Sequence, residues 1–75
     1  MTPHQETILR ELAFGNYIIT HKGRMMLVDE DYYYPIRWDT FGKIKKFLTF
    51  DGVWMINKEG LNYLEKKYGT RKSYN

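Results

Sequence analysis

The side chains that could perform catalysis or hold a metal ion are few in this sequence. It contains no cysteine, and its only histidines are His4 and His21. Neither histidine has a second histidine or a carboxylate at the spacing of a metal site. We therefore expect both histidines to lie on the surface, and we expect no catalytic residue, no bound metal and no cofactor.

Three adjacent carboxylates, Asp29, Glu30 and Asp31, are the other group that could bind a cation. An EF-hand calcium loop alternates its ligands, carries a central glycine and ends on a distant glutamate, whereas here three tyrosines follow. The sequence also has no glycine-rich phosphate-binding motif of the G-x-x-x-x-G-K-[ST] or G-x-G-x-x-G type. These observations predict a solvated acidic turn, in a protein that acts by binding and not by catalysis.

Basic side chains are concentrated in the second part of the chain. Residues 1–42 carry four basic and six acidic side chains, whereas residues 43–75 carry eight basic and three acidic side chains. A basic half suggests a polyanionic partner, although lysines also form the ordinary solvent face of helices. The first hypothesis is therefore nucleic-acid binding, with these residues contacting phosphates: Arg37, Lys43, Lys45, Lys46, Lys58, Lys66, Lys67, Arg71 and Lys72.

A second hypothesis places binding on the acidic, tyrosine-rich segment. Tyrosine is enriched at the energetic centres of protein interfaces, and clustered carboxylates can imitate phosphates. A small phage-type protein could use such a segment to inhibit or redirect a host enzyme or a defence complex. The residues concerned are Asp29, Glu30, Asp31, Tyr32, Tyr33 and Tyr34. The tyrosines could instead stack on unpaired bases or pack at a sheet edge.

A third hypothesis is a structural or oligomerising protein, in which the aromatic residues form a homodimer interface. Aromatic residues are 17% of the chain, and each buried aromatic ring removes on the order of 150–250 Å² from water. The same aromatic residues could instead fill the core of a monomer, although a single hydrophobic core is only marginally sufficient to stabilise a chain of this length. The composition therefore allows a homodimer without requiring one.

Three helices are predicted to position these residues. Thr2 and Gln5 form a capping box at the start of the first helix, which apolar side chains at helical spacing continue to about residue 14. The second helix covers about residues 38–47, with Trp38, Phe41 and Ile44 on its buried side and the lysines outside. Asn57 is placed to cap a third helix, which a glycine ends at residue 69.

The remaining segments predict two β-hairpins. Residues 17–20 and 25–28 are β-branched or apolar runs on either side of a turn with Gly23 at positive φ. The dipeptide Asp51-Gly52 between two apolar runs is a strong hairpin signal, usually a two-residue turn of type I′. Residues 32–36 are read either as an edge strand or as an extended linker, because Pro35 disfavours helix before it.

Seventy-five residues allow one domain. We assign residues 1–69 to an α+β domain of three helices and two β-hairpins, and residues 70–75 to a basic flexible tail. No apolar run approaches the roughly 20 residues needed to cross a bilayer, and the N-terminus lacks the apolar core of a signal peptide. Together with the absence of cysteine, these features lead us to expect a cytoplasmic protein with no membrane partner.

The stretch from Phe41 to Gly69 resembles the second half of small winged-helix proteins of phages and mobile elements. Those proteins often show a basic helix, a β-wing and a "T-x-x-G-x-x-x-L" type of entry to the last helix, and here the segment from Trp54 to Leu61 occupies that place, with Asn57 where threonine is commoner. The hairpin predicted over residues 17–28 stands where those proteins carry a further helix. The resemblance implies a winged-helix-like fold and a regulator that binds DNA.

Overall fold

The three predicted helices are present, and the extended segments join into one sheet. A computed structural model describes residues 1–69; the predicted tail, with Arg71 and Lys72, lies outside them. No helix in the described part is long and apolar enough to cross a membrane. The elements are α1 (Pro3–Ala13), β1 (Tyr17–His21), β2 (Arg24–Asp29), β3 (Tyr32–Ile36), α2 (Trp38–Ile44), a 3₁₀ turn (Lys45–Phe47), β4 (Leu48–Asp51), β5 (Val53–Ile56) and α3 (Lys58–Tyr68).

The sheet has five antiparallel strands in the order β3-β2-β1-β5-β4. The prediction of an α+β chain with three helices is confirmed, and the segment 32–36 is an edge strand and not a linker. The prediction of two separate hairpins was too simple, because β1 and β5 pair directly, with Ile18 opposite Trp54. This pairing makes β1 the central strand, between hairpins that are far apart in sequence.

The two predicted hairpin turns differ in type. At the β1–β2 turn, Lys22 and Gly23 both have positive φ, at 51° and 78°, as a two-residue type I′ turn requires. In the β4–β5 hairpin Asp51 itself lies opposite Val53, so the register is centred on Gly52 alone. The prediction of a two-residue turn at Asp51-Gly52 was therefore wrong, although the hairpin itself was predicted correctly.

The three helices bury one face of the sheet. Leu9, Leu12, Ile18, Met25, Ile44 and Leu64 are the most deeply buried large side chains, and they come from all three helices and from the two strands β1 and β2. Strand alternation places Tyr17, Met26 and Tyr33 on the other face, where both tyrosines are exposed. The helical layer and the sheet thus share one core.

A close approach between α3 and the 3₁₀ turn fixes the entry to the last helix. The Asn57 side chain accepts a hydrogen bond from Gly60 N (2.8 Å), and its amide donates to Lys46 O (3.1 Å) and Leu48 O (3.3 Å). A Cβ atom on Gly60 would lie 2.9 Å from Phe47 O and 2.6 Å from an Ile56 side-chain carbon. Glycine is therefore required at position 60 by packing.

A polar cluster around Glu6 ties α1 to α3. The Glu6 carboxylate, on a residue only 7% exposed, accepts hydrogen bonds from Tyr63 Oη (2.7 Å) and Tyr68 Oη (2.8 Å) and forms an ion pair with Lys67 Nζ (2.7 Å). The Lys67 bond, followed by the two tyrosine bonds, lowers the pKa of Glu6 from 4.5 to about 2. Hydrogen bonding to Glu6 raises the pKa of each of its three partners.

Substitution of Gly60 should be costly, whereas the same change at Gly42 should not. We expect Gly60→Ala to lower the free energy of unfolding by about 1–3 kcal/mol, because the added methyl group meets a backbone carbonyl. Gly42 lies in α2, and no atom lies within 4 Å of the position that an added methyl group would take, so Gly42→Ala should raise stability by up to about 1 kcal/mol. Urea unfolding monitored by circular dichroism measures both changes in the free energy of unfolding. Equal midpoints for the two variants would contradict the packing argument.

The Glu6 cluster should make folding stability sensitive to acid. Since the pKa of Glu6 is lowered in the folded protein, its stabilising contribution is complete above pH 4.5 and is lost as the pH falls toward 2. We expect the wild-type melting temperature to fall through this range more steeply than that of Glu6→Gln, which should already be less stable at pH 7. Glu59→Gln, at an exposed position on α3, is the control. Parallel pH profiles for wild type and Glu6→Gln would refute this role.

Candidate nucleic-acid interface

The segment formed by α2 and the 3₁₀ turn presents one buried and one exposed side. Thr40, Phe41, Ile44 and Phe47 are buried, whereas residues 38, 39, 42, 43, 45 and 46 are exposed. Asp39 Oδ1 accepts hydrogen bonds from Thr40 N (2.9 Å) and from Arg37 Nε (3.2 Å) at the start of the helix. The exposed side therefore carries three lysines, and we call Lys43, Lys45 and Lys46 the basic surface.

Two of these lysines lie beside the start of α1. Lys43 and Lys46 line a surface depression together with Met1, Thr2 and Gln5. Thr2 and Gln5 form the capping box predicted from the sequence, with Gln5 N donating to Thr2 Oγ1 (3.2 Å) and Thr2 N to Gln5 Oε1 (3.2 Å). The partial positive charge of a helix N-terminus has the same sign as the lysine charges here.

Lys45 lies on the other flank of the basic surface. Its Nζ atom is 5.9 Å from the centre of the Trp54 ring, within reach of a cation–π interaction. No carboxylate of residues 1–69 forms an ion pair with Lys43, Lys45 or Lys46; the ion pairs in that range join Arg37 to Asp39 and Lys67 to Glu6. The charge of the basic surface is therefore not neutralised within the described chain.

A continuous series of aromatic rings adjoins Lys45. Ring centres are 6.1 Å apart between Trp38 and Phe41, 5.1 Å between Phe41 and Trp54, and 5.0 Å between Trp54 and Phe50. We call these four residues the aromatic row. Its inner member Phe41 is buried, whereas the end members Trp38 and Phe50 are 58% and 59% exposed. Lys45 therefore lies next to a row of rings whose two ends are open to solvent.

The exposed members of the aromatic row were not identified from the sequence. Trp38 was expected on the buried side of α2, but it is the first helical residue, where its indole Nε1 reaches out to Gly23 O (3.2 Å). Phe50 and Trp54 are cross-strand neighbours. Each lies two residues from Gly52, and this equal spacing on the two sides of a hairpin turn is a signal from which the pairing could have been predicted.

The other basic residues proposed from the sequence have different surroundings. Lys67 is engaged by Glu6, and Arg37 is paired with Asp39 on the surface. Lys66 lines a depression together with Glu59 and Glu65. Lys58 is the exposed first residue of α3. The structure thus brings together Lys43, Lys45 and Lys46 on one segment, and it does not add Lys67 to them as a free charge.

The acidic, tyrosine-rich segment lies at the opposite end of the sheet. The Glu30–Asp31 turn joins β2 to β3, whereas the turns at Gly23 and Gly52 lie at the other end, because β5 runs antiparallel to β1. Tyr32 and Tyr34 are exposed and stacked, with ring centres 6.3 Å apart. Strand alternation places Tyr33 on the other face, so the three tyrosines do not form one patch.

Neither histidine has a setting that indicates chemistry. His4 in the first turn of α1 and His21 at the end of β1 are both exposed. Within residues 1–69 no three side chains of the histidine, cysteine, aspartate or glutamate type are arranged to hold a metal ion. The features with the clearest capacity for an interaction are therefore the basic surface and the aromatic row.

Comparison with protein-family models, with curated proteins and with solved structures finds no match to this chain.

Proposed function

We propose that this protein binds nucleic acid through α2, the 3₁₀ turn and the β4–β5 hairpin. The observation that carries the proposal is the basic surface, three lysines whose charges no carboxylate of residues 1–69 neutralises, next to exposed aromatic rings. Lysine ammonium groups are suited to phosphate oxygens, and their contacts supply affinity without reading sequence. In this proposal Lys43, Lys45 and Lys46 contact the phosphate backbone.

The arrangement of elements supports a winged-helix-like interpretation of this surface. A short basic helix, a β-hairpin and a final helix follow one another from Trp38 to Tyr68, in the order that the resemblance implies. In this interpretation α2 takes the place of the recognition helix and the β4–β5 hairpin takes the place of the wing. Asn57 and Gly60 keep the wing and α3 in fixed relation to the basic surface.

The first test is the salt dependence of binding to a fluorescently labelled DNA oligonucleotide. We expect the dissociation constant measured by anisotropy to rise steeply between low and moderate salt. The double variant Lys43→Glu, Lys46→Glu should weaken binding by at least about tenfold. It should also reduce the salt slope by about 1.4 to 1.8, since each lost phosphate contact removes about 0.7 of slope on a single strand and about 0.9 on a duplex.

A matched variant separates position from net charge. Lys58→Glu, Lys66→Glu makes the same change in net charge on α3, and we expect it to retain most of the affinity. Equal losses in the two double variants would show that the effect is one of overall charge, and absence of binding at low salt would exclude the proposed function.

A second candidate function is protein binding at the β2–β3 end of the sheet. The stacked, exposed rings of Tyr32 and Tyr34 beside the acidic turn favour it. If a host protein binds there, the double variant Tyr32→Ala, Tyr34→Ala should lose a protein that wild type retains from a host lysate. Tyr33→Ala, on the other face of β3, should keep it, and the same result for both variants would count against this surface.

A further inference from the structure

The aromatic row exposes ring surface beside a positive charge. Single exposed apolar residues are ordinary on protein surfaces, whereas adjoining exposed ones mark interaction sites. Trp38 and Phe50 are each more than half exposed, and Trp54 between them is half-buried. Folding leaves these faces open to water, so they are free to contact a partner.

The exposed rings are held in place by contacts on their inner sides. The Trp38 indole donates a hydrogen bond to Gly23 O (3.2 Å) and contacts Phe41 edge-on, at 81° between ring planes. Phe50 packs against Trp54, which in turn lies edge-on to Phe41. A ring that is already fixed loses little conformational freedom on binding, and this favours its use as a stacking platform.

The exposed side of α2 is poor in groups that read base edges in a duplex. It carries Trp38, Asp39, Gly42 and the lysines. It has no arginine, asparagine or glutamine; lysine can contact guanine, and the carboxylate of Asp39 is already paired with Arg37. Gly42 presents no side chain to a groove, and no internal contact requires a glycine there. The helix is thus better equipped to contact a phosphate backbone than to read a base sequence.

Lys45 lies close enough to the aromatic row to contact the phosphate of a nucleotide whose base stacks there. Its ammonium group lies 5.9 Å from the Trp54 ring centre, and in a nucleotide the phosphate is close to the base. The Phe50 ring centre is 5.0 Å from that of Trp54, so a base stacked on Phe50 would bring its phosphate near Lys45. Unpaired bases have free π-faces. Proteins in which a positively charged groove carries exposed aromatic rings bind single strands with little sequence preference.

We propose that the nucleic acid bound at this surface is single-stranded, with unpaired bases stacking on Phe50 and Trp38 and with Lys45 contacting the backbone between them. This inference rests on the proposed nucleic-acid function and names its substrate class. In this proposal the exposed rings of the aromatic row stack on bases, and the lysines supply affinity for the phosphate groups.

The test compares one DNA sequence as a single strand of about 15 nucleotides and as a blunt duplex, both followed by anisotropy at low salt. The single strand should bind more tightly. Phe50→Leu, which keeps an apolar side chain but removes the π-face, should weaken single-strand binding about 5- to 150-fold, the range of one base–aromatic stack, and should weaken duplex binding much less, because paired bases do not offer a free face to the ring. Phe50→Tyr should retain single-strand binding, and Tyr33→Ala on the other sheet face serves as the control.

Tryptophan fluorescence gives an independent readout, because the two tryptophans of the chain are both in the aromatic row. Addition of the single strand should quench it, and the duplex should quench it less. Tighter binding of the duplex, or equal effects of Phe50→Leu and Tyr33→Ala, would overturn the single-strand inference and leave the proposed function in place. Absence of binding by both DNA forms would overturn the proposed function and the inference together.

Discussion

The arrangement of the second half of the molecule depends on how closely α3 approaches the 3₁₀ turn. With no side chain at Gly60, the first turn of α3 can lie against the Phe47 carbonyl, and Asn57 spans the junction with bonds to three backbone groups. This contact sets the direction in which β4 leaves the turn. Together with the pairing of β5 with β1, it positions Phe50 and Trp54 relative to the lysines.

The basic half of the chain does not form one uniform surface, because one of its lysines takes part in helix packing. One lysine of α3 stabilises a buried carboxylate of α1, and two tyrosines complete that cluster. A buried carboxylate without such partners would be costly, so the charge of Lys67 serves helix packing. The lysines of α2 and the 3₁₀ turn form no ion pair with a carboxylate of residues 1–69, so they remain available to an anion.

Local features of the sequence predicted most of the secondary structure. The capping box at Thr2, the positive φ at Gly23 and the cap at Asn57 each involve neighbours in sequence, and each was predicted from them. The pairing of β1 with β5 was not predicted, because two apolar strands carry no mark of which partner each will choose. The exposure of Trp38 was missed for a related reason, since helical spacing alone does not show where the covering sheet ends.

The lysine positions show the same division between local and distant information. Helical spacing correctly placed Lys43, Lys45 and Lys46 on the outer side of the segment formed by α2 and the 3₁₀ turn. The pairing of Lys67 with Glu6 joins residues 61 positions apart, and the sequence contains no pattern that reveals it. Which charges remain free is thus a property of the tertiary fold, whereas which charges face outward is largely a property of the helix.

The outermost strand β3 has a consequence for how the sheet can grow. Pro35 lies within this edge strand, opposite Met26, and it has no N–H group to offer to an incoming strand. The opposite edge, β4, is only four residues long. Proline and short strands are two of the devices that prevent edge-to-edge association and amyloid-like extension, so both margins of this sheet are poor templates for the addition of another chain.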